Sequence, residues 1–239
     1  MVKLSIIIPT LNEEKYLPKL LDSIKSQTFK DYEIIVSDGN SKDKTRQIAK
    51  KFGCKVVKGV GLPAVGRNKG AKAARGELLL FLDADVILPE KFLESTLKEF
   101  EKRKADVAFC VPVPIGGKLR DVIMLAVYDV FVTIAQYIKP FGSGFCILAK
   151  KEFHKKLRGF NEKIPYLEDI DYIQRTAKIG KYRVLNSWVL LSMRRFEKEG
   201  RWHTFARYLR TYIRRIRGKE VKGELAKDKN FYYRYDYKK

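Results

Sequence analysis

Two aspartates one residue apart, Asp83 and Asp85, end the stretch GELLLFLDADV (residues 76–86) directly after five apolar residues. Alternate residues of an extended chain share a side, so Asp-x-Asp presents both carboxylates together. Two clustered carboxylates suit a hard divalent cation, Mn2+ or Mg2+, bridging a diphosphate. A turn with helix-capping acids is the plainer account of a bare Asp-x-Asp, and its position after LLLFL argues against that account. A second acidic group, Glu168, Asp169 and Asp171 in YLEDIDYIQR, reads by itself as charges favoured at a helix N-terminus. Asp38-Gly39, by itself, reads as a turn.

The elements that must position these acids follow from hydrophobic patterning. KLSIIIPT is a short apolar run stopped by Pro9, and EKYLPKLLDSIKSQ carries Leu17, Leu20, Leu21 and Ile24 at helical spacing. YEIIVSDG, CKVVKG and ELLLFLDADV are further strands. SKDKTRQIAKKFG is a helix ending at Gly53, AVGRNKGAKAAR a helix of small residues, and PEKFLESTLKEFEKRK an amphipathic helix opened by Pro89. Continuous apolar strands alternating with helices predict an α/β fold, a mainly parallel central sheet flanked by helices, with a Rossmann-like nucleotide-binding half. Ligands of such sheets gather beyond the carboxyl ends of the strands, where Asp83 and Asp85 stand. The second half of the chain is less regular: ADVAFCVPV and YRVLNSWVLLS read as strands, RDVIMLAVYDVFVTIAQYIK as a helix, GSGFCILAKKEF as a strand feeding a helix, and YLEDIDYIQRTAKIG as a helix closed by Gly180.

The chain of 239 residues is long enough for a substantial core. The apolar stretch at residues 4–8 is too short for a signal-peptide core, and Cys54, Cys110 and Cys146 form neither a disulfide framework nor a zinc site, so a reducing cytoplasm is expected. Abundant Lys and Glu with little His, Asn or Gln is the composition of a thermophile. The net charge of +22 suits nucleic acid, an anionic membrane or phosphorylated molecules. It concentrates at the C-terminal end, where residues 201–239 hold thirteen Lys or Arg against four acids, +9 by difference.

Together, SIIIPTLNEEKYLPKLLDSI, EIIVSDGNSKDKT, GRNKGAKAARGELLLFLDADV and GFNEKIPYLEDIDYIQR resemble, in order and spacing over residues 3–195, a family 2 glycosyltransferase of the GT-A fold, the superfamily of dolichol-phosphate-mannose synthase. The resemblance implies an inverting hexosyltransferase that takes a sugar from a nucleotide donor. It places Pro9, Thr10, Asn12 and Glu13 along the nucleotide pocket, Asp38 against the base, Arg67 and Asn68 near the diphosphate, Asp83 near the ribose and metal, and Asp85 on the metal, Mn2+ or Mg2+. Asp169 matches the general base, with Glu168 beside it, and Asp171 is structural. Arg194 and Arg195 stand where relatives carry a metal-binding His or a basic cluster, which makes them candidates for phosphate binding; an ordinary basic surface is the rival. His154 reads as surface, and His203 as a poor metal candidate.

The organisation expected is a GT-A domain over residues 1–199, divided into a nucleotide-sugar half (1–112) and an acceptor half (113–199), followed by a basic amphipathic helix and tail (200–239). Residues 122–138 are almost wholly apolar yet short for a membrane span, so a buried or interfacial helix is expected. RWHTFARYLRTYIRRIR places Trp202, Phe205, Leu209, Tyr212, Ile213 and Ile216 opposite Arg207, Arg210, Arg214 and Arg217, a pattern that packs on the domain or lies on anionic lipid. The donor expected is UDP-linked and the acceptor lipid-linked or glycan, at the inner face of the membrane. A polyprenyl-phosphate sugar synthase using GDP-mannose or UDP-glucose shares the motifs. A sugar nucleotidyltransferase lacks its Gly-rich first loop here, since PTLNEE stands in that place. Nucleic-acid binding, which the tail NFYYRYDYKK would permit by stacking, is not expected, because the acids cluster at strand ends. A non-catalytic scaffold, or a membrane-surface protein without activity, is the remaining rival. The oligomeric state is not encoded in any motif.

Overall fold

A computed structural model describes residues 2–164, 167–204, 206 and 210. Two compact units are distinguished, Met1–Leu191 and a second that begins at Ser192. Of the amphipathic stretch 201–217, only residues 201–204, 206 and 210 are described, and the tail NFYYRYDYKK lies outside the described residues.

The first unit is a mixed eight-stranded sheet covered by helices. Its strands are β1 (Leu4–Thr10), β2 (Tyr32–Asp38), β3 (Lys55–Lys58), β4 (Leu78–Leu82), β5 (Val86–Ile87), β6 (Val107–Pro114), β7 (Cys146–Lys150) and β8 (Tyr182–Leu191), in the order β3-β2-β1-β4-β7-β6-β8-β5. Its helices are α1 (Leu17–Lys25), α2 (Thr45–Lys51), α3 (Pro63–Ala73), α4 (Phe92–Lys102), α5 (Leu119–Ala135), α6 (Lys151–Lys156) and α7 (Glu168–Ile179). α8 (Arg194–Glu199) belongs to the second unit and begins with Arg194 and Arg195.

β1 lies parallel to β2 and β4, and β2 parallel to β3, so Thr10, Asp38 and Asp83 emerge at one edge. β7 then runs antiparallel to both β4 and β6, which reverses the sheet beside Asp83. The apolar runs are the core: Leu4, Ile6, Ile7, Ile8 and residues 78–82 are buried on both faces, as a strand sandwiched between helix layers requires.

Two expectations shift. The helix anticipated from Pro89 starts at Phe92, because residues 89–91 form a turn in which the Phe92 N–H donates to the Pro89 carbonyl at 3.2 Å and Lys91 takes the left-handed conformation, φ 56°. Two residues after Asp-x-Asp, Val86 and Ile87, pair antiparallel with β8, a strand too short to give a periodic signal.

The helix read at residues 122–138 is α5, and only part of it is buried: Asp121, Leu125, Val132 and Ala135 face inward, while most of its apolar residues are exposed. No helix among the described residues is long and apolar enough to cross a membrane.

Candidate active site

The small residues of GRNKG determine where α3 can lie. A Cβ on Gly70 would stand 2.3 Å from the Ile7 side chain, and one on Gly66 would stand 3.2 Å from Pro9 Cβ, so α3 settles directly on β1. That seating turns Arg67 inward, where it is 3% exposed.

Arg67 is the hub of the site. One terminal nitrogen donates to Glu168 Oε1 at 2.5 Å; the other donates to Asp83 Oδ1 at 3.0 Å and the Gly144 carbonyl at 3.3 Å. Its guanidinium lies 5.4 Å from the Phe160 ring centre. Burial works against the charge, but the carboxylates of Asp83, Glu168 and Asp169 outweigh it and raise the Arg67 pKa above its ordinary value. A planar fork with fixed donors is what such multiple pairing needs, and lysine does not supply it.

Glu168 and Asp169 open α7, after Leu167 in the left-handed region at φ 64°. Asp169 Oδ2 accepts the Gly144 N–H at 2.6 Å, and Oδ1 accepts the Ile170 N–H at 2.7 Å. Burial, and then the neighbouring Glu168 carboxylate, raise the Asp169 pKa; Arg67 and the two N–H groups pull the other way. Gly144 is fitted between both partners: a Cβ there would stand 2.4 Å from an Arg67 terminal nitrogen and 3.3 Å from Asp169 Oδ2. The Asp83 N–H donates to the Phe145 carbonyl at 3.1 Å, extending the β4–β7 ladder and holding the first acid of Asp-x-Asp beside this glycine.

Asp83 and Asp85 are both partly exposed at the strand end, with the Asp83 side chain 39% accessible. Among the described residues no group of three or more His, Cys, Asp or Glu converges on a metal position. A pair of hard carboxylates suits Mg2+ or Mn2+, a cation that favours oxygen ligands and keeps several waters. Asp83 and Asp85 would hold it.

The nucleotide-side residues form a laced pair of loops. Thr10 and Asp38 are register partners across β1 and β2, and the Thr10 hydroxyl reaches Asp38 Oδ1 at 3.4 Å. Asp38, 3% exposed, also accepts from the N–H groups of Asn40 and Ser41 at 3.1 and 3.0 Å and from the Ser41 hydroxyl at 2.5 Å. The Asn12 N–H donates to Ser41 Oγ at 3.0 Å while its side-chain oxygen accepts the Lys42 N–H at 2.8 Å, and the Glu13 N–H donates to Thr45 Oγ1 at 2.8 Å. Ser41 and Thr45 are thus positioning residues that the motif pattern does not single out.

Asn68 clasps a different loop. Its oxygen accepts the Phe160 N–H at 2.9 Å and its amide donates to the Phe160 carbonyl at 2.8 Å and to Glu162 at 2.9 Å. Asp171 accepts from Arg175 Nε at 2.7 Å, and Arg175 donates onward to the carbonyls of Leu157 and Gly159 at 2.6 and 2.8 Å. Residues 157–162 are therefore held from both sides.

His154 corrects its sequence reading. It is buried, 6% exposed, among Phe81, Phe160 and Tyr172, with Nδ1 3.0 Å from the Tyr172 hydroxyl. Burial, then the charge of Arg175, lower its pKa to about 4. Lysines around it in KKEFHKK mask a core position, since α6 is a single short helix with one inward face. Gly180 does follow α7, but in extended backbone at φ −161°; the reason for glycine is the Phe153 ring, 2.3 Å from where a Cβ would be.

The family model described as glycosyl transferase family 2 matches residues 5–158, which hold the first loop, the Asp38 turn, Arg67 and Asp-x-Asp. The chain belongs to glycosyl transferase family 2.

Among curated members, poly(ribitol-phosphate) β-N-acetylglucosaminyltransferase TarS of Staphylococcus aureus is 33% identical over 127 residues, 49% of this chain and 22% of TarS. GalNAc(5)-diNAcBac-PP-undecaprenol β-1,3-glucosyltransferase of Campylobacter jejuni is 36% identical over 116 residues, 45% of this chain and 37% of that enzyme. The chain thus matches well under half the length of either relative. The crystal structure of TarS with UDP-GlcNAc superposes with a TM-score of 0.65 at 24% identity, covering 80% of this chain and 58% of that one. The mannosyltransferase PcManGT of Pyrobaculum calidifontis, solved with GDP-Man and Mn2+, gives 0.62 at 19% identity, covering 79% and 56%. Both likenesses concern the fold, which in this family 2 member is GT-A.

Proposed function

We propose that this family 2 domain is an inverting, metal-dependent hexosyltransferase that moves a sugar from a UDP-linked donor to a lipid-linked or other membrane-proximal acceptor, as a peripheral protein of the cytoplasmic membrane face. The reading is carried by the contact of Arg67 with both Asp83 and Glu168, which brings the acid pair suited to a donor diphosphate next to the acid pair suited to an acceptor hydroxyl.

In this reading the acceptor O–H gives its proton to Asp169 as its oxygen bonds to the anomeric carbon and the bond from that carbon to the diphosphate oxygen breaks. One displacement with one base inverts the anomeric centre. The N–H groups of Gly144 and Ile170 fix the Asp169 carboxylate, and a carboxylate retains lone pairs for the incoming proton. Burial and Glu168 raise its proton affinity towards that of a working base. Mn2+ or Mg2+ on Asp83 and Asp85 would neutralise charge on the departing nucleoside diphosphate. Thr10, Asn12, Glu13 and Asp38 would line the nucleoside side, with Pro9 packed under α3. Arg194 and Arg195, which begin α8, are candidates for phosphate binding.

A UDP donor is supported by TarS, solved with UDP-GlcNAc. GDP-mannose is the second donor to test, because PcManGT was solved with GDP-Man. A polyprenyl-linked acceptor is supported by the Campylobacter relative, named for an undecaprenol diphosphate substrate.

Thermal unfolding with UDP, GDP, CDP and dTDP, each with and without Mn2+, tests the reading. UDP at about a hundred times its Kd adds roughly 2.7 kcal/mol of stability, and Asp85→Ala removes the metal-dependent part. A melt that no nucleotide shifts overturns the reading.

A further inference from the structure

Helix α5 turns an apolar face away from its own unit. Leu119, Ile123, Val127, Val130, Ile134 and, one turn past the helix, Ile138 recur every three or four residues, and each is more than half exposed. That spacing draws one stripe along the helix. Val122, Phe131 and Tyr137, exposed by 45%, 40% and 75%, widen it. The acids of α5 lie off the stripe: Asp121 is 2% exposed, and the Oδ1 of half-buried Asp129 is wholly enclosed.

Soluble monomers rarely leave a contiguous apolar surface of this length in water. The charges around it indicate what covers it. Lys118 and Arg120, both exposed, stand at the N-terminus of α5, where the helix dipole disfavours cations. Local helix stability therefore does not account for them. Lys139 follows the far end. An apolar stripe without charge between cationic ends is the pattern of a helix lying in an anionic interface. A second copy of the chain fits less well, because antiparallel pairing across a twofold axis would set Lys118 and Arg120 near Lys139 of its mate, and each partner carries +22.

We propose that the outward face of α5 is a membrane-docking surface that lies in the headgroup and acyl boundary of an anionic bilayer. The purpose of docking, though not the binding itself, rests on the transferase reading with a membrane-proximal acceptor. The geometry joins the two: the Tyr128 hydroxyl of α5 lies 3.0 Å from Ser143 Oγ, and the next residue, Gly144, donates to Asp169. The Tyr128 ring also packs edge-on against Phe109 and Phe141. The surface that meets lipid is thereby fixed to the loop that holds the base.

Flotation of the full chain with phosphatidylcholine vesicles, with and without phosphatidylglycerol and free of any polyprenyl phosphate, tests this. The expected result is binding to anionic vesicles at low salt that the double variant Val127→Glu, Val130→Glu weakens at least about tenfold. Lys118→Ala with Arg120→Ala should remove most of the preference for anionic lipid. All three native cysteines are buried, so an environment-sensitive dye on Ile134→Cys labels one position and should shift to the blue on binding. Undiminished flotation of the double glutamate variant, a dye that stays in water while the protein floats, or a dimer in solution that Val127→Glu splits would each overturn the proposal. A UDP-dependent melt is measured beside flotation: its loss in the wild type counts against the transferase reading, whereas a variant that keeps it without floating has lost docking alone.

Discussion

Arg67 and Glu168 meet at 2.5 Å across 101 positions of sequence. With Asp83 on the second terminal nitrogen, the pair ties Asp-x-Asp to the acids of α7, and the predictions for the site start from it.

Arg67→Met is expected to destabilise the fold by about 3–5 kcal/mol, because it leaves Glu168 buried without its cation. Arg67→Lys should recover little, since an ammonium does not span both carboxylates in a fixed plane. Urea unfolding of the two variants measures this; stability within 1 kcal/mol of wild type, an order-of-magnitude bound, would remove Arg67 from its place as hub.

Gly144→Ala puts a methyl group 2.4 Å from an Arg67 nitrogen. Overpacking of this kind costs about 1–3 kcal/mol, and the displaced Gly144 N–H loses Asp169. The variant should therefore lose kcat more than its melting temperature accounts for, with Gly142→Ala, whose methyl would meet Ile173 and Tyr182 rather than Arg67, as the comparison.

Asp169→Asn should lower transfer by about a hundredfold or more, the usual worth of a positioned base, while UDP binding persists. The pKa of Asp169 is raised to about 7, so kcat is expected to rise with pH as the carboxylate ionises and to level off above neutrality. A flat profile between pH 5.5 and 8.5, the window bracketing that value, would be evidence against it as base.

Asn68→Ala removes the clasp on both backbone groups of Phe160. Unsatisfied backbone groups cost about 1–3 kcal/mol, and the loop before α7 should exchange its amides faster. Asn68→Asp keeps the acceptor for the Phe160 N–H, so it should fall between wild type and alanine.

Asp129 has its pKa raised to about 7 by burial. A carboxyl that is harder to ionise in the folded state leaves stability intact below its unfolded pKa, near 4, and erodes it as pH rises to about 7. Asp129→Asn should consequently raise the melting temperature at pH 8 and change it little at pH 3.5. A gain that does not grow with pH would show that Asp129 ionises without penalty.

The sequence by itself determined the elements and the edge where chemistry gathers. Apolar runs such as LLLFL can only be strands buried on both faces, and alternating them with amphipathic helices leaves Thr10, Asp38 and Asp83 at one set of strand ends. The acids of the two motifs were visible because carboxylates after core strands, or at a helix start, stand out against the residues around them. Tertiary structure decided what those acids touch. Arg67 reads as one basic residue in GRNKG, yet close seating of α3 on β1 through Gly66 and Gly70 drives it under the sheet edge. Gly144 carries no side chain to announce it, and its value appears only when β7 folds back beside β4. His154 hides among lysines because a helix as short as α6 has one inward face, shared here by Phe153 and His154, and local pattern does not say which residues lie on it. The exposed side of α5 was undecided for a similar reason: a helix apolar all round has no periodic signal, and only packing on β6 determines which of its residues are left outside.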